Sequence, residues 1–155
     1  LRAGGRELLA QREGEVYRRL HPDTSYVDIA AMAEKSDFSG IINVNDGAFL
    51  APKSMKEAID AYFVDKGKSG PDCDADYFNS AYHSLAYCYN EAIIDLEANT
   101  GRAYSEIYIV GGGAKNAYLN TLTEKYTSRR VVALPIEATA IGNIRVQMKR
   151  NGEDI

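Results

Sequence analysis

The sequence predicts an α/β fold in which a small parallel sheet is packed with several helices. Three observations predict it. Ile107 to Val110 is a short run of β-branched and aromatic residues that stops at Gly111, Gly112 and Gly113, as a buried strand would. A helical pattern comes next, with Tyr118, Leu119, Leu122 and Tyr126 at three- and four-residue spacing. Arg130 to Leu134 then reads as a second strand, ended by Pro135, and Glu137 to Asn143 opens a last helix with Ile141, Ile144 and Met148 on one side. Strand, helix, strand implies a right-handed crossover and parallel pairing.

The earlier elements are helical. Leu1 to Glu15 is charged and glycine-punctuated, unlike the rest of the chain. A helix is expected from Val27 to Glu34, opened by Ser25 and Asp28 as a capping box. A turn at Ser36–Gly40 leads into the short extended run Ile41 to Val44. Ser54 and Glu57 form a second capping box, opening a helix with Met55, Ile59, Tyr62 and Phe63. Lys66 to Asp72 is a surface loop that lacks phosphate-loop spacing and has no strand before it.

The longest helix should cover Ala75 to Glu97. Phe78, Ala81, Leu85, Cys88, Ala92, Ile93 and Leu96 make its apolar stripe, and Gly101 caps its end. That helix is expected to pack on the sheet. Tyr82, Tyr89 and Tyr104 read as core-edge aromatics rather than a base-stacking platform.

Composition bounds the function. The chain has 155 residues, 45% hydrophobic and 26% charged, enough for one domain with a real core. A net charge of −4 without a basic stripe argues against a nucleic-acid partner. The apolar runs are far too short to span a bilayer and no signal peptide is visible, so no membrane is expected and the cytoplasm is the default. Cys73 and Cys88 do not stand at a metal spacing, and with only His21 and His83 available no metal site is expected. Cys73 reads as a helix-surface thiol and Cys88 as a core one.

Chemistry concentrates at the glycines. Residues without Cβ atoms let a ligand approach the main chain, and a helix start attracts anions. Gly111, Gly112 and Gly113 are therefore candidates to hold a nucleotide, with Gly112 foremost. Asn116, taken as one turn into the helix, would offer an amide to a purine or ribose, and Asn120 would face the same way one turn later. Lys115 stays unassigned, because a first-turn lysine is usually solvated. Asn43, Asn45 and Asp46 are expected to organise a turn through side-chain to backbone bonds. Glu137 is expected to brace the final helix, with Ala138, Ala140 and Gly142 allowing close packing.

The run from Ile109 to Thr123, together with Leu134–Asn143, resembles the C-terminal domain of the FGGY carbohydrate kinases, and Ile41 to Pro52 resembles their rhamnulokinase branch. The resemblance is collinear from about residue 16 to 150, leaving 1–15 unmatched and making 16–155 a partial C-terminal nucleotide-binding domain. It implies an actin-like, ribonuclease H-like ATPase fold, ATP or ADP as nucleotide, Mg2+ in the full-length parent, and phosphorylation of L-rhamnulose on its 1-hydroxyl. It also implies that the sugar site, catalytic aspartate and remaining phosphate turns lie elsewhere in the parent, so the chain by itself is expected to be inactive and no catalytic residue is assigned. Missing sheet strands imply an exposed edge and a possible homodimer, unless Leu1–Glu15 folds back as a helix over that face.

Two other functions compete. A non-catalytic actin-like nucleotide-binding or assembly module is the first. A dinucleotide-binding oxidoreductase is the second, since Gly111 to Asn116 partly fits G-x-G-x-x-G. Against the latter, Asn116 stands where Gly or Ala belongs and Glu137 comes after a proline instead of tipping a strand.

Overall fold

The computed structural model describes residues 8–134, with side chains from residue 14 onward. Among these the order is α1 (Leu8–Leu20), α2 (Tyr26–Glu34), α3 (Met55–Asp65), α4 (Asp74–Thr100), β1 (Glu106–Ile109), α5 (Ala117–Thr127) and β2 (Arg130–Ala133). The last helix expected after Pro135, with Glu137 and its small neighbours, lies outside the described residues.

The strands pair in parallel, with Glu106 opposite Arg130 and Ile109 opposite Ala133. This is the predicted sheet, and α5 is its crossover. Ser25 and Asp28 form the expected capping box, whereas at Ser54 only the serine half of the expected box is present. Ser25 Oγ accepts from Asp28 N at 3.2 Å while Ser25 N donates to Asp28 Oδ2 at 2.8 Å. The Ser25 hydroxyl donating to that carboxylate at 2.6 Å, then the Ser25 N–H, hold the Asp28 carboxyl below its ordinary range. Ser54 Oγ accepts from Glu57 N at 3.2 Å. Each satisfies a first-turn N–H that the helix itself cannot.

α4 organises the domain. Asp74 and Asp76 in its first turn complement the helix dipole. Gly101, at φ 65°, ends it in the left-handed region with its N–H on Glu97 O. Every residue from Phe78 to Ala86 is buried, so this segment is enclosed on all sides. One core joins α2, α4 and α5 through Ile29, Ala33, Phe78, Leu85, Leu119 and Leu122. A second, around Ile42, Met55, Ile59 and Phe63, meets α4 at Ala81. Burying a Phe63 or Leu85 side chain is worth roughly 1.5–3 kcal/mol.

Three features depart from the sequence reading. α4 packs chiefly on α5 and α2 instead of on the sheet. Four-residue strands are too short to cover so long a helix, and α5 provides the larger apolar face. Tyr82, read as a core-edge residue, is 6% exposed and belongs to the core itself. The α4 stripe also fades beyond Cys88, where Ala92, Ile93 and Leu96 are only half-buried.

Polar side chains of α4 fix the segment before Ile42. Asn79 Nδ2 donates to the carbonyls of Ser36 and Phe38, both at 2.9 Å. Ser80 Oγ donates to Gly40 O at 2.7 Å, and Ser84 Oγ accepts from Ile42 N at 3.0 Å. The extended run is thus anchored by side chains, and among the described residues no strand pairs with it. The turn after it forms as expected, with Asn45 N on Asn43 Oδ1 and Ala48 N on Asp46 Oδ1.

α1 begins inside the segment set apart in sequence. It lies against α4, with Tyr17 edge-on to Phe78 at 5.4 Å. A Cβ at Gly14 would stand 3.0 Å from the Tyr26 ring, so this glycine lets α1 and α2 approach. Cys73 is exposed and Cys88 buried, as read from the sequence.

Candidate functional site

Where β1 ends, Gly111 takes φ 81° and turns the chain out of the strand. A left-handed φ is strained for any residue with a Cβ. Gly112–Lys115 then form one 3-10 turn, with Ala114 N on Gly111 O at 3.2 Å and Asn116 N on Gly113 O at 3.1 Å. Asn116 is the N-cap of α5, earlier than the reading that put it a turn inside the helix. Its Oδ1 accepts from Leu119 N at 3.0 Å.

This turn borders a cleft of about 560 Å³. Gly112, Gly113, Lys115 and Asn116 line one rim, and Tyr82 and Leu85 of α4 line it deeper in. Tyr26, Val27, Ala30, Ala31 and Glu34 of α2 form the opposite wall. The wall is apolar, which suits an aromatic ring, while the turn presents main chain and the start of a helix, which suit an anion. A Cβ at Gly112 would meet nothing within 4 Å, so there is open space beside the backbone for a ligand.

Burial pushes the Tyr82 phenol up, and the Asn116 amide beside it opposes that shift. Tyr118, also in the cleft wall, is pushed up by burial and then by the nearby Glu34 carboxylate. Its hydroxyl donates to Asn79 Oδ1 at 2.6 Å. Both phenols therefore stay protonated at neutral pH and can act as hydrogen-bond donors.

The five sequence candidates do not share one place. Gly112, Gly113 and Asn116 line the cleft, whereas Gly111 sets the turn and Asn120 stands behind it. Asn120 Nδ2 donates to Ala114 O at 3.2 Å and so braces the glycine turn; its Oδ1 is buried without a partner among the described residues. The sequence reading missed the α2 wall. A signal was present: Tyr26, Val27, Ala30 and Ala31 form a second apolar stripe on a short helix whose core needs only Ile29 and Ala33. Val27 is 74% exposed, which leaves part of that stripe open, although Tyr26 meets α1 and Ala30 packs on the core.

Known proteins resemble this chain over most of its length. Residues 7–150 match the C-terminal domain of the FGGY family of carbohydrate kinases. The chain is 38% identical over 134 residues to a rhamnulokinase of Oceanobacillus iheyensis, covering 86% of this chain and 28% of that protein. It is 38% identical over 135 residues to the rhamnulokinase of Bacillus subtilis, again 86% and 28%. With that of Enterococcus faecalis it shares 37% over 142 residues, 90% of this chain and 29% of the relative. The chain thus spans less than a third of the length of these curated relatives.

Proposed function

As the chain belongs to the FGGY family of carbohydrate kinases and has their actin-like ATPase fold, we propose that it supplies the ATP- and ADP-binding portion of a sugar kinase acting on L-rhamnulose at its 1-hydroxyl. The observation that carries the nucleotide part is the cleft: an open glycine turn and a helix start on one side, an apolar helix face on the other. The sugar is proposed from the rhamnulokinases to which the chain is similar.

In phosphoryl transfer, positioning and electrostatic stabilisation do most of the work. On this reading the described residues do the positioning. Gly112 and Gly113 let the nucleoside lie on the main chain, Asn116 holds the start of α5 in place, and Gly111 and Asn120 keep the turn open. Mg2+ would neutralise charge on the nucleotide phosphates and travel with them; among the described residues no three His, Cys, Asp or Glu side chains stand together to hold a metal. The acceptor's base and the sugar site are assigned to none of these residues. The chain alone is therefore expected to bind nucleotide without phosphorylating L-rhamnulose.

A cytoplasmic location is proposed with the sugar-kinase reading; among the described residues no helix is long and apolar enough to cross a membrane. Tyr108 of β1 and Val110 just after it are 59% and 54% exposed, which supports a homodimer through apolar surface at the short sheet; a monomer at all concentrations in sedimentation equilibrium would refute it. Calorimetric titration with ATP, ADP and NAD tests the main reading. ATP and ADP should bind and NAD should not. Binding of NAD in preference, or of none of the three, would sink it.

A further inference from the structure

The cleft has two unlike rims. On one stand the glycine turn, the Lys115 ammonium and the start of α5. On the other, Tyr26, Val27, Ala30 and Ala31 share one face of α2, which ends at Glu34. Alanines at the middle of this face leave it shallow, so that a flat ring can lie against it. Glu34 is exposed, and among the described residues no hydrogen bond or ion pair engages its carboxylate. Its charge reaches Tyr118 and adds to the upward push that burial gives that phenol.

A ligand that fits this arrangement is anionic at one end, flat and apolar in the middle, and a hydrogen-bond donor at the far edge. An ionised carboxylate only accepts. Resting on the nucleotide reading above, we propose that Glu34 reads the base: its carboxylate accepts from the 6-amino group of adenine and so selects adenine nucleotides. Glu15, on α1, is the other carboxylate lining the cleft, but it lies off the α2 face that would seat the ring.

The test is a cycle of two ligands and two proteins. The 155-residue chain and its Glu34→Ala variant are titrated with ADP and with purine riboside 5′-diphosphate, which lacks the 6-amino group. Glu34 is exposed and alanine is a strong helix former, so the variant should keep its fold, and circular dichroism checks this. The parent should prefer ADP by about tenfold, the effect of one charge-assisted hydrogen bond at an open site. That preference should vanish in Glu34→Ala through weaker ADP binding, with the analogue unaffected. A preference that persists in Glu34→Ala, or that is lost instead in Glu15→Ala, overturns the assignment. GDP binding as tightly as ADP to the parent overturns adenine selection while leaving the nucleotide site standing. No binding of any of these diphosphates overturns the nucleotide reading itself and this proposal with it.

Discussion

The guanidinium of Arg129 donates to the carboxylate of Glu97 at 2.6 Å, although they stand 32 positions apart. The other Glu97 oxygen accepts from Tyr104 N at 2.9 Å, and Arg129 Nε donates to Tyr104 O at 2.8 Å. One ion pair thus joins the end of α4, the approach to β1 and the end of α5. It fixes where β1 starts, and through β1 where the glycine turn stands.

The Tyr104 amide, and after it Arg129, holds the Glu97 carboxyl below its ordinary value of 4.5. A depressed carboxyl contributes stability above its unfolded value and loses it as pH falls through the lower folded value. Glu97→Gln should therefore lower the melting temperature at neutral pH. It should also flatten the loss of stability on acidification below about pH 4.5, where the parent gives up this contribution. Thermal unfolding followed by circular dichroism across that range checks both. An equal acid slope in the two proteins would remove the pair from the stability account.

His83 works in the same direction at higher pH. It is 7% exposed between α4 and α5, with Nδ1 2.7 Å from the Tyr126 hydroxyl. Burial, with Lys125 nearby, pushes its pKa below the ordinary 6.5. The folded state thus favours the neutral ring, so the contribution is present above the unfolded value and is lost as pH falls below it. The melting temperature should drop between about pH 7 and 5 in the parent and drop less in His83→Gln. An identical fall in both would show that the ring does not titrate on unfolding.

Asn79 is 1% exposed and its amide engages two carbonyls of the 36–38 segment and the Tyr118 hydroxyl. Asn79→Ala strands those groups inside the protein. The expected loss is about 2–4 kcal/mol in urea unfolding, more than one exposed hydrogen bond would give. Because Tyr118 also lines the cleft, ADP binding should weaken along with stability. A loss below about 1 kcal/mol would mean that water replaces the amide.

Apolar spacing and caps made most of this fold legible. Ser25, Ser54 and Gly101 mark helix ends by local chemistry, and the strand at Ile107 and its parallel partner at Val131 come from a change of period. The packing of α4 was not legible. Asn79, Ser80, His83 and Ser84 look solvent-facing in a helical projection, yet each is buried because its partner comes from a distant segment. The site was half legible. A glycine run declares itself locally, whereas the second apolar stripe of α2 is visible in the spacing but what it faces depends on how α1, α2 and α4 pack.

The glycines should separate into two roles. Gly111 has φ 81° and ψ −153°, a region essentially only glycine occupies, so Gly111→Ala would strain the backbone at a cost of about 1–3 kcal/mol and displace the turn. Gly112 has open space where a Cβ would stand and does not share that positive φ, so Gly112→Ala should leave the melting temperature nearly unchanged. Gly112→Asp should fold as well, since its side chain enters the cleft rather than the core. It would nevertheless occupy the space beside the main chain and set a carboxylate where an anionic ligand approaches, so ADP binding should fall at least about tenfold, or about 1.4 kcal/mol. Melting curves and ADP titrations of the three variants decide this together. Full ADP affinity in a folded Gly112→Asp protein would take the glycine turn out of the binding site, whatever Gly111→Ala does to stability.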